Sequence, residues 1–205
     1  LMSDNLLFAA GRTGQTGKIG LENVELCANN RGHIEVDEHF RTAVKNIYAG
    51  GDCIGFPGLA STAMEQGRVA MCHAFDFAYK TLVSNVLPYG IYTIPEVSSV
   101  GETEQSAAEA GYDFVAGRSL YSTNARGMIT GDMEGITKLI VERQTRKLLG
   151  IHVIGERATE LVHIGQTAML AGATVDIFID MVFNFPTLAG SYKYAAYDCL
   201  AALSE

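Results

Sequence analysis

The chain has 205 residues, 48% hydrophobic and 19% charged, with 22 glycines, 4 prolines and a formal net charge of -8. That apolar content excludes a disordered chain and lets a sizeable core form, in one large domain or two small ones. The acidic balance sets aside a nucleic-acid binder held by phosphate contacts, and no apolar run approaches the roughly 18 residues of a membrane helix, so a soluble protein is expected.

In chain order, Leu6-Leu7-Phe8-Ala9-Ala10 reads as a buried strand with no preceding element to pair with, so the chain is expected to begin mid-fold. The opening residues lack both the basic n-region with a long apolar stretch and the basic amphipathic pattern of targeting peptides. Gly11, Gly14, Gly17 and Gly20 then fall at every third position. That spacing is not the G-x-G-x-x-G of a dinucleotide fingerprint, and a mobile glycine-rich loop is the expectation. His33-Ile34-Glu35-Val36 alternates as a short strand, and Asn46-Ile47-Tyr48-Ala49-Gly50-Gly51 suggests a more buried one ending on Asp52. Pro57 and Gly58 signal a helix over 59–81, where Ala60, Ala63, Met64, Val69, Ala70 and Ala74 recur at helical spacing. Leu87-Pro88-Tyr89-Gly90 reads as a linker, which divides the chain into 1–85 and 86–205.

Beyond the linker, Thr103 can cap a short helix ending before Gly111, and strands are expected over 112–120 and 136–141. Leu148-Leu149-Gly150-Ile151-His152-Val153-Ile154 returns as a hairpin after the turn-like 143–147. Helices are expected over 156–171, after Thr174, and over 189–203. Strands followed by helices describe an α+β layer. The first 85 residues carry 9 acidic and 7 basic side chains and the rest 14 and 8, so the acidity belongs mainly to the second part.

The cysteines, Cys27, Cys53, Cys72 and Cys199, form no C-x-x-C pair and are expected as buried small hydrophobes in a reducing, cytoplasmic setting. His33, His39 and His73 make no metal-ligand spacing, so no metal site is read. His152 and His163 are expected as hydrogen-bonded structural residues, Arg157 and Glu160 as a solvated helix-face pair, and Tyr192, Tyr194 and Tyr197 as interface packing.

The segment with most chemical content runs from Thr42 to Asp52, where a strand ends in Gly50, Gly51 and a carboxylate just before a helix. Glycine admits close approach, and Asp52 can accept hydrogen bonds from the sugar or ribityl hydroxyls of a cofactor. Free amides around Leu59, Ala60 and Ser61 at the helix start favour negative charge developing on a reduced flavin. A turn in which Asp52 caps nearby amides is the alternative that this segment alone leaves open.

Together the segments resemble a known family. The Ala-x-Gly-Arg-x-x-x-Thr run from Ala9 to Thr16, the run from Thr42 to Asp52, Tyr92-Thr93-Ile94-Pro95-Glu96-Val97-Ser98-Ser99-Val100-Gly101, Leu149-Gly150-Ile151-His152 and Phe183-Asn184-Phe185-Pro186-Thr187 look like the later half of the FAD-dependent pyridine nucleotide-disulfide oxidoreductases, in family order. Gly155-Glu156-Arg157-Ala158 and His163-Ile164-Gly165-Gln166 favour the branch that passes hydride between NADPH and NAD through flavin. The resemblance implies the end of an FAD-binding Rossmann-like (α/β) domain over 1–85, then an α+β dimerisation domain with an antiparallel sheet over 86–205. It also implies FAD contacts at Gly51, Asp52, Leu59, Ala60 and Ser61, NAD and NADP as substrates, a homodimer, and a Pro-Thr loop that reaches the partner subunit's flavin.

In dithiol-disulfide members the residue before that Pro is a histidine, oriented by a glutamate four residues after it, and the pair serves the thiols as acid and base. Here the two positions hold Phe185 and Gly190, which cannot move a proton, so disulfide reduction by such a dyad is not expected and no catalytic residue is assigned. Gly190 departs from the hydride-exchanging branch as well, which resembles the reductases in keeping an acid there. The alternatives are a non-catalytic dimerisation module and part of a dihydrolipoamide dehydrogenase-like reductase. The chain by itself is expected to hold FAD weakly and to self-associate through residues after Pro88.

Overall fold

The computed structural model describes residues 3–204 and divides after Ser84 into two compact units. The first unit has little regular structure. Among its described residues the one α-helix, α1 (Ala60–Ala74), buries Thr62, Gln66, Val69 and Ala70 at helical spacing, and 3-10 turns occupy Leu21–Val24 and Gly51–Ile54.

Several expectations for this unit are corrected. Residues 6–10 form no strand, and Leu6, Leu7 and Phe8 are 84–89% exposed, because a strand needs a neighbouring ladder and no described strand pairs with them. The expected strands at His33 and Asn46 shrink to single bridges, Ala28 with Ile34 and Arg41 with Tyr48. Between them the Thr42 hydroxyl donates to the carbonyls of Val44 and Ile47 while its amide donates to Ile47, and this local turn captures backbone groups that a ladder would have used. The helix expected to reach residue 81 stops at Ala74. Phe75 leaves helical geometry, Asp76 takes a left-handed φ of 58°, and Phe75, Phe77 and Tyr79 then stack in sequence at centroid distances of 6.3 and 6.1 Å.

The second unit is a five-stranded antiparallel sheet in the order β1-β2-β5-β4-β3, from β1 (Tyr89–Ile91), β2 (Val97–Gly101), β3 (Phe114–Leu120), β4 (Ile136–Glu142) and β5 (Leu148–Ile154). The 87–90 linker reading is corrected in part, since Tyr89 begins β1 and pairs with Ser99. A three-residue strand beside the polar Ser98-Ser99 leaves too little alternation to read. Ser98 is buried because its hydroxyl donates to the Tyr89 carbonyl at 2.9 Å. Short helices α2 (Glu104–Glu109) and α3 (Ala125–Thr130) flank β3, the first opened by a reciprocal Thr103–Ser106 capping box.

The sheet is covered by α4 (Ala158–Leu170), against β5 and β2, and by α6 (Ser191–Leu203), against β3 and β4, with α5 (Asp176–Asp180) packed on α6. Leu139, Ile151 and Val153 of the strands meet Val162, Phe178 and Tyr192 of the helices, all almost fully buried. Each contributes about 1.5–3 kcal/mol of burial. β3 approaches α6 so closely that a Cβ on Gly117 would stand 2.3 Å from the Ala195 carbonyl oxygen. Burial pushes the Cys199 thiol beside it up to about 12. Of the four cysteines only Cys72 and Cys199 are buried; Cys27 is exposed and Cys53 partly so, which corrects the uniform expectation.

Candidate functional site

Arg12, Asp52 and the turn before α1 meet in the first unit. Gly51 opens the 3-10 turn at a φ of 78°, and its amide donates to the Gln66 side-chain oxygen at 2.7 Å, which ties the turn to α1. Asp52 Oδ2 lies 2.8 Å from Arg12 Nη1, and the same guanidinium donates through Nη2 to the Gly58 carbonyl at 3.1 Å. Both side chains remain more than half exposed, so the pair adds little to stability and leaves carboxylate and guanidinium groups able to meet a ligand. A cavity of about 260 Å³ is lined by Arg12, Asp52, Pro57 and Gly58 among others. It ends at the residues that lead into α1. Leu59 is the N-cap of that helix and no side chain caps it, so the amides of Ala60 and Ser61 stay open, although neither residue lines the cavity.

The glycine-rich run expected as a mobile loop is tied down instead. Gly14 N donates to the Arg31 carbonyl at 2.8 Å, the buried Thr16 hydroxyl donates to Gly32 O at 2.8 Å, and a Cβ on Gly14 would stand 2.1 Å from that same oxygen. Only glycine fits where two backbones touch in this way. The run also forms a wall of a second, larger recess that includes Asp52 and Cys53. Arg12 is the residue that sequence reasoning missed, although it stands in the quoted Gly-Arg motif. The signal was there, but its partner was not visible along the chain.

In the second unit Phe185 is 84% exposed, and Gly190 starts α6 as its N-cap at φ -58° and ψ -19°. Any residue adopts that backbone, and the nearest atom to a Cβ placed there is Asn124 Nδ2 at 3.8 Å. Neither position offers a titratable atom. His152 Nε2 contacts the Glu102 carbonyl at 2.9 Å, and burial holds its pKa down. His163 Nδ1 meets Gln166 Oε1 at 2.8 Å, while His39 and His73 stack at 4.3 Å with Tyr48 bonded to His73. Two further expectations are corrected. Arg157 faces Glu156 at 3.7 Å instead of Glu160, because it takes a left-handed φ of 61° at the N-cap of α4 and so lies off the helix face. Tyr192 is a core residue whose hydroxyl donates to the Leu161 carbonyl at 2.8 Å, whereas Tyr194 and Tyr197 are exposed and meet edge to face.

Residues 87–196 match the family model for the pyridine nucleotide-disulphide oxidoreductase dimerisation domain, and residues 1–67 match the pyridine nucleotide-disulphide oxidoreductase model. The chain belongs to the pyridine nucleotide-disulphide oxidoreductase family. Among its relatives, soluble pyridine nucleotide transhydrogenase of Pseudomonas savastanoi pv. phaseolicola is 45% identical over 99% of this chain, and that of Azotobacter vinelandii 46% over the same share. The chain spans 44% of the length of each, less than half of these curated relatives. Solved structures of similar fold superpose well. The HOCl-induced flavoprotein disulfide reductase RclA from Escherichia coli aligns with 90% of this chain and 42% of its own at a TM-score of 0.84 and 27% identity. LpdA from Mycobacterium tuberculosis gives 0.81 and 29%, over 90% of this chain and 40% of its own. In this family member no helix among the described residues is long and apolar enough to cross a membrane.

Proposed function

We propose that this chain is the carboxyl-terminal part of a cytoplasmic, homodimeric flavoprotein that transfers hydride between NADPH and NAD through FAD, a pyridine nucleotide transhydrogenase. The observation that carries the reading is the pairing of a cofactor-type cradle with a loop that has no proton to give. Asp52 stands at the cradle, and Phe185 and Gly190 stand where a thiol-handling enzyme needs an acid and a base. Hydride exchange between nicotinamides requires neither.

The residues of the first unit fit FAD. Asp52 has one oxygen outside its ion pair, Gly51 and Gly58 hold left-handed backbone beside it, and the uncapped start of α1 presents open amides. Asp52 and Gly51 would hold the ribityl and pyrophosphate region, and the backbone at Leu59, Ala60 and Ser61 would face the pyrimidine edge. Bound there, the flavin supplies a two-electron carrier that accepts hydride from one nicotinamide and returns it to another. What the chain itself contributes is orientation and partial positive charge from the helix start. In the second unit the exposed Phe185 ring is an apolar cover for the flavin of a second copy. The apolar stretch with Val182, 95% exposed, is the surface on which that copy packs. Four free cysteines fit a reducing, cytoplasmic setting.

The deciding assay is NADPH oxidation coupled to reduction of a thio-NAD analogue by the enzyme that carries this chain, with a disulfide substrate as control. Turnover of the analogue and not of the disulfide is expected; the reverse makes the protein a reductase. Light scattering gives the independent check on assembly, and a monomer at high concentration contradicts the homodimer.

A further inference from the structure

A loop whose tip is an exposed phenylalanine needs its backbone held, because a ring in solvent contributes no packing of its own. The first turn of α3 does the holding. Asn124, its buried N-cap, uses both ends of the side-chain amide: Oδ1 accepts from the amides of Arg126 and Gly127 at 2.9 and 3.3 Å, and Nδ2 donates to the Thr187 carbonyl at 3.2 Å. Arg126 adds a forked donation, Nε at 3.1 Å and Nη2 at 2.9 Å, to the Pro186 carbonyl. Two consecutive carbonyls next to Phe185 thus take three donors from residues at least 60 positions earlier in the chain. A charged, planar fork on a half-buried carbonyl is both stronger and more directional than a neutral bond. Within the loop the Thr187 hydroxyl donates to the Asn184 carbonyl at 2.8 Å, while Gly190 has no side chain to add.

We infer that Arg126, aided by Asn124, is a positioning residue for hydride exchange: acting through the Pro186 carbonyl, it fixes the Phe185 ring against the flavin site of a second copy of this chain. The inference rests on the assignment of the Phe185 loop to that flavin. In this role Arg126 acts on the Pro186 carbonyl and not on the nucleotide or the flavin. Its effect passes entirely through the loop, so it acts on the rate and not on nucleotide affinity.

The test uses the FAD-loaded dimer that carries this chain. Arg126→Ala is expected to lower kcat about tenfold, with KM for both nucleotides within about twofold, since displacing a covering group by an ångström is enough for such a loss. Arg126→Lys, which keeps one donor, recovers most of it. In the Phe185→Ala background the same Arg126→Ala change costs less than about twofold, because the two residues act as one unit. Hydrogen exchange of the peptide over 182–190 is read in parallel and is expected to rise about tenfold in Arg126→Ala and return in Arg126→Lys. Where Arg126→Ala does not assemble, Arg126→Gln, whose amide NH2 can still donate, is set against Arg126→Met, of similar length with no donor, and the same contrast is expected. Unchanged kcat with unchanged loop exchange, or losses that multiply in the double variant, overturns the inference. A wild-type enzyme with no nicotinamide exchange sinks the transhydrogenase reading and the rate role of Arg126 with it, while loop exchange still reports whether Arg126 holds Pro186.

Discussion

Arg12 bridges Asp52 and the backbone of Gly58, placing one guanidinium between the carboxylate and the turn that leads into α1. The pair is solvent-exposed, so it adds little to the fold and leaves both groups open to a ligand. On that ground Asp52→Ala in the flavin-loaded enzyme is expected to weaken FAD retention by about 10- to 100-fold, the loss of hydrogen bonds to a charged group. Fluorescence of flavin released on dilution measures it. Thermal stability of the flavin-free protein should barely move, and equal flavin retention in the variant and the wild type removes Asp52 from the site.

The buried Tyr192 hydroxyl separates a polar contribution from a packing one. Tyr192→Phe removes only the bond to Leu161 and should cost about 1 kcal/mol, whereas Tyr192→Ala also empties the space against Phe178, whose ring centroid is 4.9 Å away, and should cost about 3–5 kcal/mol. Urea denaturation of both variants tests the ranking. A Phe variant as unstable as the Ala variant contradicts it.

Acid sensitivity is expected from His152. Burial lowers its folded-state pKa, while the Glu102 carbonyl pulls the other way. Well above the ordinary value of about 6.5 the ring is neutral in both folded and unfolded chains and adds no pH dependence. Below that value the unfolded chain binds a proton that the fold resists, so stability falls as pH drops until the folded group itself titrates. Denaturation midpoints measured from pH 7.5 down to 5 should therefore decline less steeply in His152→Gln, and identical slopes would rule the residue out.

Two glycines make opposite predictions. Gly190 has ordinary helical backbone and open space, so Gly190→Glu, at the start of α6, should stabilise by up to about 1 kcal/mol through reduced chain entropy and the helix dipole. No disulfide turnover should follow, since Phe185 still offers no base. Gly117→Ala instead drives a methyl into the Ala195 carbonyl and should cost about 1–3 kcal/mol or more. Calorimetry on the pair settles both signs.

Local rules were legible wherever one stretch of chain satisfies itself. The Thr103 cap, the β4–β5 hairpin and the helical stripes of α4 and α6 depend on residues a few positions apart, and they fold where the patterns place them. The run from Leu6 to Ala10 shows the limit, because an apolar pattern marks the capacity to form a strand and only a neighbouring ladder makes one. The length of α1 shows another, since the left-handed Asp76 overrides an apolar periodicity that continues past it.

For the candidate site, the chain by itself determined the residue types: a glycine pair with the Asp52 carboxylate before a helix, and a Phe-Pro-Thr loop without an acid or a base. Tertiary structure alone decided what they meet. Arg12 reaches Asp52 and Gly58, and Arg126 reaches Pro186, through long side chains that close contacts over tens of residues. Such pairs leave no periodic trace in sequence, because their geometry is fixed by where distant backbone segments come to rest and not by spacing along the chain.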